Sequence, residues 1–180
     1  ECTVCHTQEI RTIPKLTASV QLIGKTLPVK AKNSVSAKAL IANMEKEDSI
    51  VSVKTSNAKV AAVNNSNFKI TGKKAGKATI TVTLKSGATA NITVNVKSGK
   101  VATTKILGIQ KNITLKKGKK LTLKPVLSPI TSTDKITYTT SNKKVATVSA
   151  KGVVKAQKKG KAKIKVKAGK KTVTCTVTVK

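Results

Sequence analysis

The sequence predicts an all-β chain built as two similar sandwiches in tandem behind a short N-terminal tail. Three observations predict it. Apolar residues alternate with Thr and Lys along most of the chain, as they do in strands with one buried face. The apolar set is mostly Val, Ile, Leu and Ala, with Phe68 and Tyr138 the only aromatics, and β-branched residues suit a pleated surface better than a helix. Finally, a long block of sequence occurs twice.

The repeat defines the organisation. Thr55-Ser56-Asn57-Ala58-Lys59-Val60-Ala61-Ala62-Val63 returns as Thr140-Ser141-Asn142-Lys143-Lys144-Val145-Ala146-Thr147-Val148, a shift of 85. Ala75-Gly76-Lys77-Ala78-Thr79-Ile80 returns as Lys159-Gly160-Lys161-Ala162-Lys163-Ile164, a shift of 84. Ile92-Thr93-Val94-Asn95-Val96-Lys97 returns as Cys175-Thr176-Val177-Thr178-Val179-Lys180, a shift of 83. Small insertions therefore fall at Asn64–Asn67 and near Ser86-Gly87, where loops tolerate them. A period this long is a whole domain, since solenoid units run roughly 20–50 residues. The expected units are a tail over 1–14, a first domain over 15–98 and a second over 101–180, with Ser98-Gly99-Lys100 as a polar hinge.

The elements follow in order. Ser34–Glu47 is ambiguous: Ala37-Lys38-Ala39-Leu40-Ile41-Ala42 has room for a helical turn, whereas Leu127–Lys135 in the second copy contains Pro129 and reads as loop. Ser56-Asn57 and Ser141-Asn142 open a turn after a strand, where Asn side chains bond the local backbone. Ile80, Val82 and Leu84, then Ile92, Val94 and Val96, face a core, as do Ile164 and Val166, then Val173, Cys175, Val177 and Val179. Gly76, Gly87, Gly118, Gly152, Gly160 and Gly169 punctuate these runs as turn residues. Many short strands between turn signals mean sandwiches or barrels.

The repeated blocks carry a resemblance. A Ser-Asn-x-x-Val-Ala-x-Val run, then Gly-x-Ala-x-Ile-x-Val, then a closing Val-Thr-Val-Lys is similar to the bacterial immunoglobulin-like domains of group 2. Ser56-Asn57 with Val60, Ala61 and Val63 carries it in the first copy, and Ser141-Asn142 with Val145, Ala146 and Val148 in the second. The resemblance implies a seven-stranded or similar Ig-like sandwich from a secreted or surface protein of a gut clostridial-type bacterium, without an active site. The first copy departs from the pattern at Asn64–Lys69 and over Leu16–Ser49.

Few residues are placed for chemistry. Cys2-Thr3-Val4-Cys5-His6 has the spacing of covalent haem attachment, but the flanking sequence offers no helical, aromatic pocket. The same Cys-x-x-Cys supplies two of the four thiolates of a zinc site. Cys2 and Cys5 are thus weak metal candidates, with a disulfide in a plain tail as the alternative. No cofactor is expected. Cys175 alternates with Val173 and Val177 and reads as a small buried hydrophobe. Glu45-Glu47-Asp48 is the only concentration of carboxylates. It reads as a solvated turn, because a Ca²⁺ site needs several more oxygens on a fitted loop. A glycosidase pair, a Ser-His-Asp set and a phosphate loop are all missing from the pattern, so no enzyme is expected.

Charge supplies the remaining signal. Formal net charge is +31, and Arg11 is the only arginine among 37 basic residues. Nucleic-acid readers add Arg forks or aromatic platforms, so no specific nucleic acid is expected. No stretch approaches the ~20 apolar residues of a membrane span. Lys161, Lys163, Lys165 and Lys167 alternate with core residues and should share one outer face, to which Lys170, Lys171 and Lys180 would add. The expected role is a non-catalytic extracellular spacer or adhesion region of a larger polypeptide with further domains upstream. The alternative is a Lys-rich module for anionic glycans or cell-wall polymers.

Overall fold

The structure, a computed structural model, describes residues 19–180. The first copy contains β1 (Val20–Leu22), β2 (Thr26–Lys30), β3 (Ser34–Ser36), one 3₁₀ turn (Ala37–Leu40), β4 (Ile41–Met44), β5 (Ile50–Thr55), β6 (Ala61–Asn64), β7 (Lys69–Gly72), β8 (Gly76–Leu84) and β9 (Thr89–Lys97). The second contains β10 (Lys105–Leu107), β11 (Asn112–Leu115), β12 (Lys120–Thr122), β13 (Val126–Ser128), β14 (Ile136–Thr140), β15 (Ala146–Val148), β16 (Val153–Ala156), β17 (Gly160–Ala168) and β18 (Lys171–Val179). The ambiguous segment of the first copy thus holds a single 3₁₀ turn between two short strands. Its counterpart is mostly loop after Ser128.

Each copy faces a four-stranded sheet against a three-stranded one. The orders are β2-β9-β8-β5 with β3-β7-β6, then β11-β18-β17-β14 with β12-β16-β15. A two-stranded ribbon, β1-β4 or β10-β13, completes each unit. All pairings are antiparallel except β2 with β9 and β11 with β18. The cores are separate: one runs from Leu27 to Val96, the other from Ile106 to Val179. Period-two patterning explains both. In β17, Ala162, Ile164, Val166 and Ala168 are buried while Lys161, Lys163, Lys165 and Lys167 are exposed. Cys175 is fully buried and unpaired in β18, and desolvation pushes its thiol pKa up. A raised pKa removes thiolate and with it reactivity, so this cysteine packs as a hydrophobe.

The Ser-Asn blocks do two jobs. Asn57 Oδ1 accepts from the Lys59 N–H at 3.1 Å, and Asn142 Oδ1 from the Lys144 N–H at 3.0 Å. These bonds hold the turn that the asparagines were expected to make. The serines add a contact that the sequence did not announce. Ser56 Oγ accepts from the Thr79 N–H and Ser141 Oγ from the Lys163 N–H, both at 2.9 Å. Each serine thereby continues the ladder of β8 or β17 one step past the end of its edge partner.

From β2 and β11 onward, register locates three one-residue changes between the copies. Val63 faces Ile70 where Val148 faces Val154, so the first copy has one extra residue in that turn. Leu84 bonds to Ala88 across Lys85-Ser86-Gly87, whereas Ala168 pairs with Lys171 across Gly169-Lys170. A third change is a bulge in β5 between Ile50 and Ser52, absent from β14. Between β2 and that bulge the copies align with a shift of 86: Leu27 faces Val94 as Ile113 faces Val177.

Candidate functional site

The sheet β11-β18-β17-β14 carries the lysine row on its outer face. Lys161, Lys163, Lys165 and Lys167 stand opposite Thr178, Thr176, Thr174 and Thr172 of β18. On the other side Lys165 faces Thr139 and Lys167 faces Thr137 of β14. A ridge of ammonium groups therefore runs between two rows of hydroxyls. A shallow recess on this face is lined by Thr139, Thr140, Ser141, Lys163, Lys165 and Thr174. No carboxylate occupies an outward position on β14, β17 or β18. Lys171 does not belong to the row. It pairs with Ala168 and shares the inward parity of Val173 and Cys175, its exposure coming from the strand end. Lys180 keeps the outward parity of Thr178, and Lys170 sits in the turn.

The same face in the first copy is built differently. Lys77, Thr79, Thr81 and Thr83 hold the β8 positions, with Lys54 of β5 opposite Thr81. The backbone is repeated and the charge is not.

A second cluster anchors the linker. Val101 and Thr103 are buried, although they lie only just beyond Ser98-Gly99-Lys100. The Val101 N–H donates to Thr133 Oγ1 at 3.1 Å, and the Thr133 N–H returns to the Val101 carbonyl at 2.9 Å. The Thr103 N–H donates to Asp134 Oδ2 at 2.6 Å, and the Thr103 and Ser132 hydroxyls lie 2.8 Å apart. The Thr131 hydroxyl donates to the Pro28 carbonyl of the first copy. Hydrogen bonds from Thr103, the backbone N–H first, hold the Asp134 carboxyl below its usual range. Asp48 is the counterpart in the first copy, one position past the 85 shift because of the bulge. Its carboxylate accepts from the Ser86 hydroxyl and the Ser49 N–H, and its pKa is likewise lowered, chiefly by the Ser86 hydroxyl. No signal in the sequence marked these two aspartates as equivalent.

The other sequence candidates separate from these clusters. Cys2, Cys5 and His6 lie outside the described residues. Glu45, Glu47 and Asp48 line a surface recess with Lys85 and Ser86. Among the described residues no group of three or more His, Cys, Asp or Glu is arranged to hold a metal ion, and no helix is long and apolar enough to cross a membrane.

The model of the bacterial Ig-like domain, group 2, matches residues 17–94 and again 102–179, one match over each core. The chain belongs to this family. Both copies are thus group 2 Ig-like domains. Over 55 residues the chain is 51% identical to the kappa-carrageenase of Pseudoalteromonas carrageenovora, a match that spans 30% of this chain and 14% of that enzyme. Among solved structures, domains 4 and 5 of the S-layer protein SbsC align over 90% of this chain and 96% of theirs, at 18% identity and a TM-score of 0.42. A termite-gut GH10 xylanase containing a bacterial Ig-like domain aligns over 38% of this chain and 18% of its own, at 26% identity and a TM-score of 0.32.

Proposed function

We propose that this pair of Ig-like domains is a non-catalytic extracellular spacer, setting the distance and orientation between neighbouring parts of a larger secreted or surface protein. The carrying observation is the anchored linker. Without it, three exposed residues would join two independent bodies, and relative motion would be the default. Val101 and Thr103 are instead held to the Pro129–Asp134 loop and Thr104 to Ser128 just before it, and Thr131 of that loop bonds the first copy. Free chain is reduced to Ser98-Gly99-Lys100. The family supports the extracellular assignment. The carrageenase match, confined to a small part of that enzyme, supports a module carried within a larger protein.

Small-angle scattering on the whole chain at physiological salt tests the reading. The expected result is one elongated particle with a narrow range of separations between the two bodies. Thr131→Ala combined with Asp134→Asn should broaden that range while both units stay folded. A broad wild-type ensemble, or a double variant indistinguishable from wild type, would sink it.

A further inference from the structure

We propose that the outer face of β14-β17-β18 is a docking track for a linear anionic polysaccharide. This goes beyond the spacer reading and needs only the second copy's sheet, so either can fail without the other.

Charge density is the first reason. Alternate residues of a strand stand ~6.6 Å apart, at ~3.3 Å per residue. Neighbouring lysines of the row therefore start from backbone positions closer together than the ~8 Å Debye length of physiological salt, and their charges repel one another. Solubility does not require this, since a soluble surface intersperses both signs. The first copy presents Thr79, Thr81 and Thr83 where the second presents Lys163, Lys165 and Lys167. The same sheet is therefore built without the repulsion elsewhere in the chain. A polyanion laid along the row would relieve it.

The surroundings select the kind of polyanion. Thr137 and Thr139 flank the ridge on one side and Thr172, Thr174, Thr176 and Thr178 on the other, placing neutral hydroxyls where a sugar's hydroxyls would lie. The recess at Lys163 and Lys165 gathers two ammonium groups with the hydroxyls of Thr139, Ser141 and Thr174, a setting for one sulfate, phosphate or carboxylate. Nucleic acid is disfavoured because the face has no arginine and no aromatic for stacking; Tyr138 pairs with Val166 and has inward parity. A membrane is disfavoured because no apolar side chain on the face would anchor in it. The row follows the strand, which suits a linear chain.

The experiment uses the whole chain and four probes: heparin, polygalacturonate, neutral dextran and single-stranded DNA. Binding to heparin or polygalacturonate at physiological salt is expected, with dextran silent and DNA weaker. Lys163→Gln with Lys165→Gln should weaken that binding about tenfold and reduce the salt slope by about two, as when two ion contacts are lost. The control is Lys120→Gln with Lys155→Gln, an exposed cross-strand pair on the opposite sheet, which removes the same charge and should change affinity less than about twofold if only long-range attraction is lost. Thr79→Lys with Thr81→Lys should add a second track and strengthen binding. Equal losses from the two Gln pairs, DNA binding as tight as either glycan, or no binding to either charged glycan would overturn the proposal.

Discussion

In the second copy, Gly118 and Gly152 hold two left-handed backbone positions, with φ of +80° and +78°. In the first copy the same positions belong to Lys32 and Phe68, with φ of +69° and +52°. The hydrogen bonds around them are the same. The Lys32 N–H donates to the Gly72 carbonyl as the Gly118 N–H donates to that of Ala156. The Ala37 N–H donates to the Phe68 carbonyl as the Leu123 N–H donates to that of Gly152. Around the second position the side chains trade size. The ring of Tyr138 lies over Gly152, where an added Cβ would come within 2.8 Å of it. The first copy has Val53 in place of Tyr138 and Phe68 in place of Gly152. One backbone plan is thus satisfied by two side-chain solutions, and the plan resides in the ladders, turn bonds and alternation. The copies then diverge on the outer face, where the fold imposes little: threonines in one, lysines in the other.

The largest expected effect isolates one copy from the other. Val177→Asp should unfold the second unit and leave the first folded, because the two cores share no residue. The substitution forfeits ~1.5–3 kcal/mol of burial and adds the desolvation of a charge, in a domain with only about 5–15 kcal/mol to lose. Thr178→Asp is outward, half-exposed and opposite Lys161, so it should stay within about 1 kcal/mol of wild type. Two calorimetric transitions, of which only one disappears in Val177→Asp, is the expected record. Loss of both together would mean that the units fold as one.

Hairpin turns give the next contrast. Gly87 (φ +87°) has nothing within 4 Å of an added Cβ, whereas at Gly169 (φ +55°) that Cβ would lie 2.3 Å from Asp134 Oδ2. Gly87→Ala should therefore cost the backbone strain alone, ~1–2 kcal/mol. Gly169→Ala should cost more, ~2–3 kcal/mol, and should displace the carboxylate that holds the linker. Denaturant midpoints measure the costs, and faster amide exchange at Thr103 reports the displacement. Equal costs would show that Asp134 moves aside freely.

Much of this architecture was legible in the sequence. The period of two places Ile164, Val166, Cys175 and Val177 inward, and it places Lys161, Lys163, Lys165 and Lys167 outward. Both are local consequences of strand geometry. The shifts of 85, 84 and 83 contain two of the three one-residue changes. The third, the bulge at Val51, falls just past the divergent segment Leu16–Ser49, where no matching block brackets it. Missing it hides the match between Asp48 and Asp134 and between Lys32 and Gly118. The linker anchor was illegible for a different reason. Ser132, Thr133 and Asp134 act through hydrogen bonds to backbone some thirty residues away in sequence, and Thr131 reaches Pro28 at a separation of 103; a polar loop has no periodicity to reveal its partners. Lys171 was misplaced because a strand end exposes an inward position.

Acid should separate the two aspartates by what each one holds. Both have folded-state pKa values below the ordinary one. Each contributes stability that is present above the unfolded value near ~3.9 and is lost as pH falls through the lowered folded value. Acidification below about pH 4 should therefore weaken the β8-β9 hairpin contact through Asp48 and the linker contact through Asp134. Asp134→Asn should remove the acid response of Thr103 amide exchange and leave that of Ser86 intact; Asp48→Asn should do the reverse. An unchanged response in either variant would assign it to another group.

The smallest effect is also the cleanest measure of how the copies differ. Lys32 is exposed, so Lys32→Gly removes no packing, and its N–H keeps the bond to Gly72. What changes is the cost of a left-handed conformation, ~1–2 kcal/mol for a residue with a Cβ. Against this stands the extra freedom that glycine gives the unfolded chain, ~0.5–1 kcal/mol. The first unit should gain about 0.5–1 kcal/mol, the difference between those terms. Gly118→Lys should cost the second unit a similar amount, since nothing lies within 4 Å of an added Cβ there and only the backbone term operates. Chemical denaturation resolves both if each unit gives its own transition. Opposite and near-equal shifts would show that the two sites are one structural position filled in two ways. A loss of stability in Lys32→Gly would mean that the lysine side chain contributes there through contacts beyond its backbone, and that the equivalence stops at the hydrogen bonds.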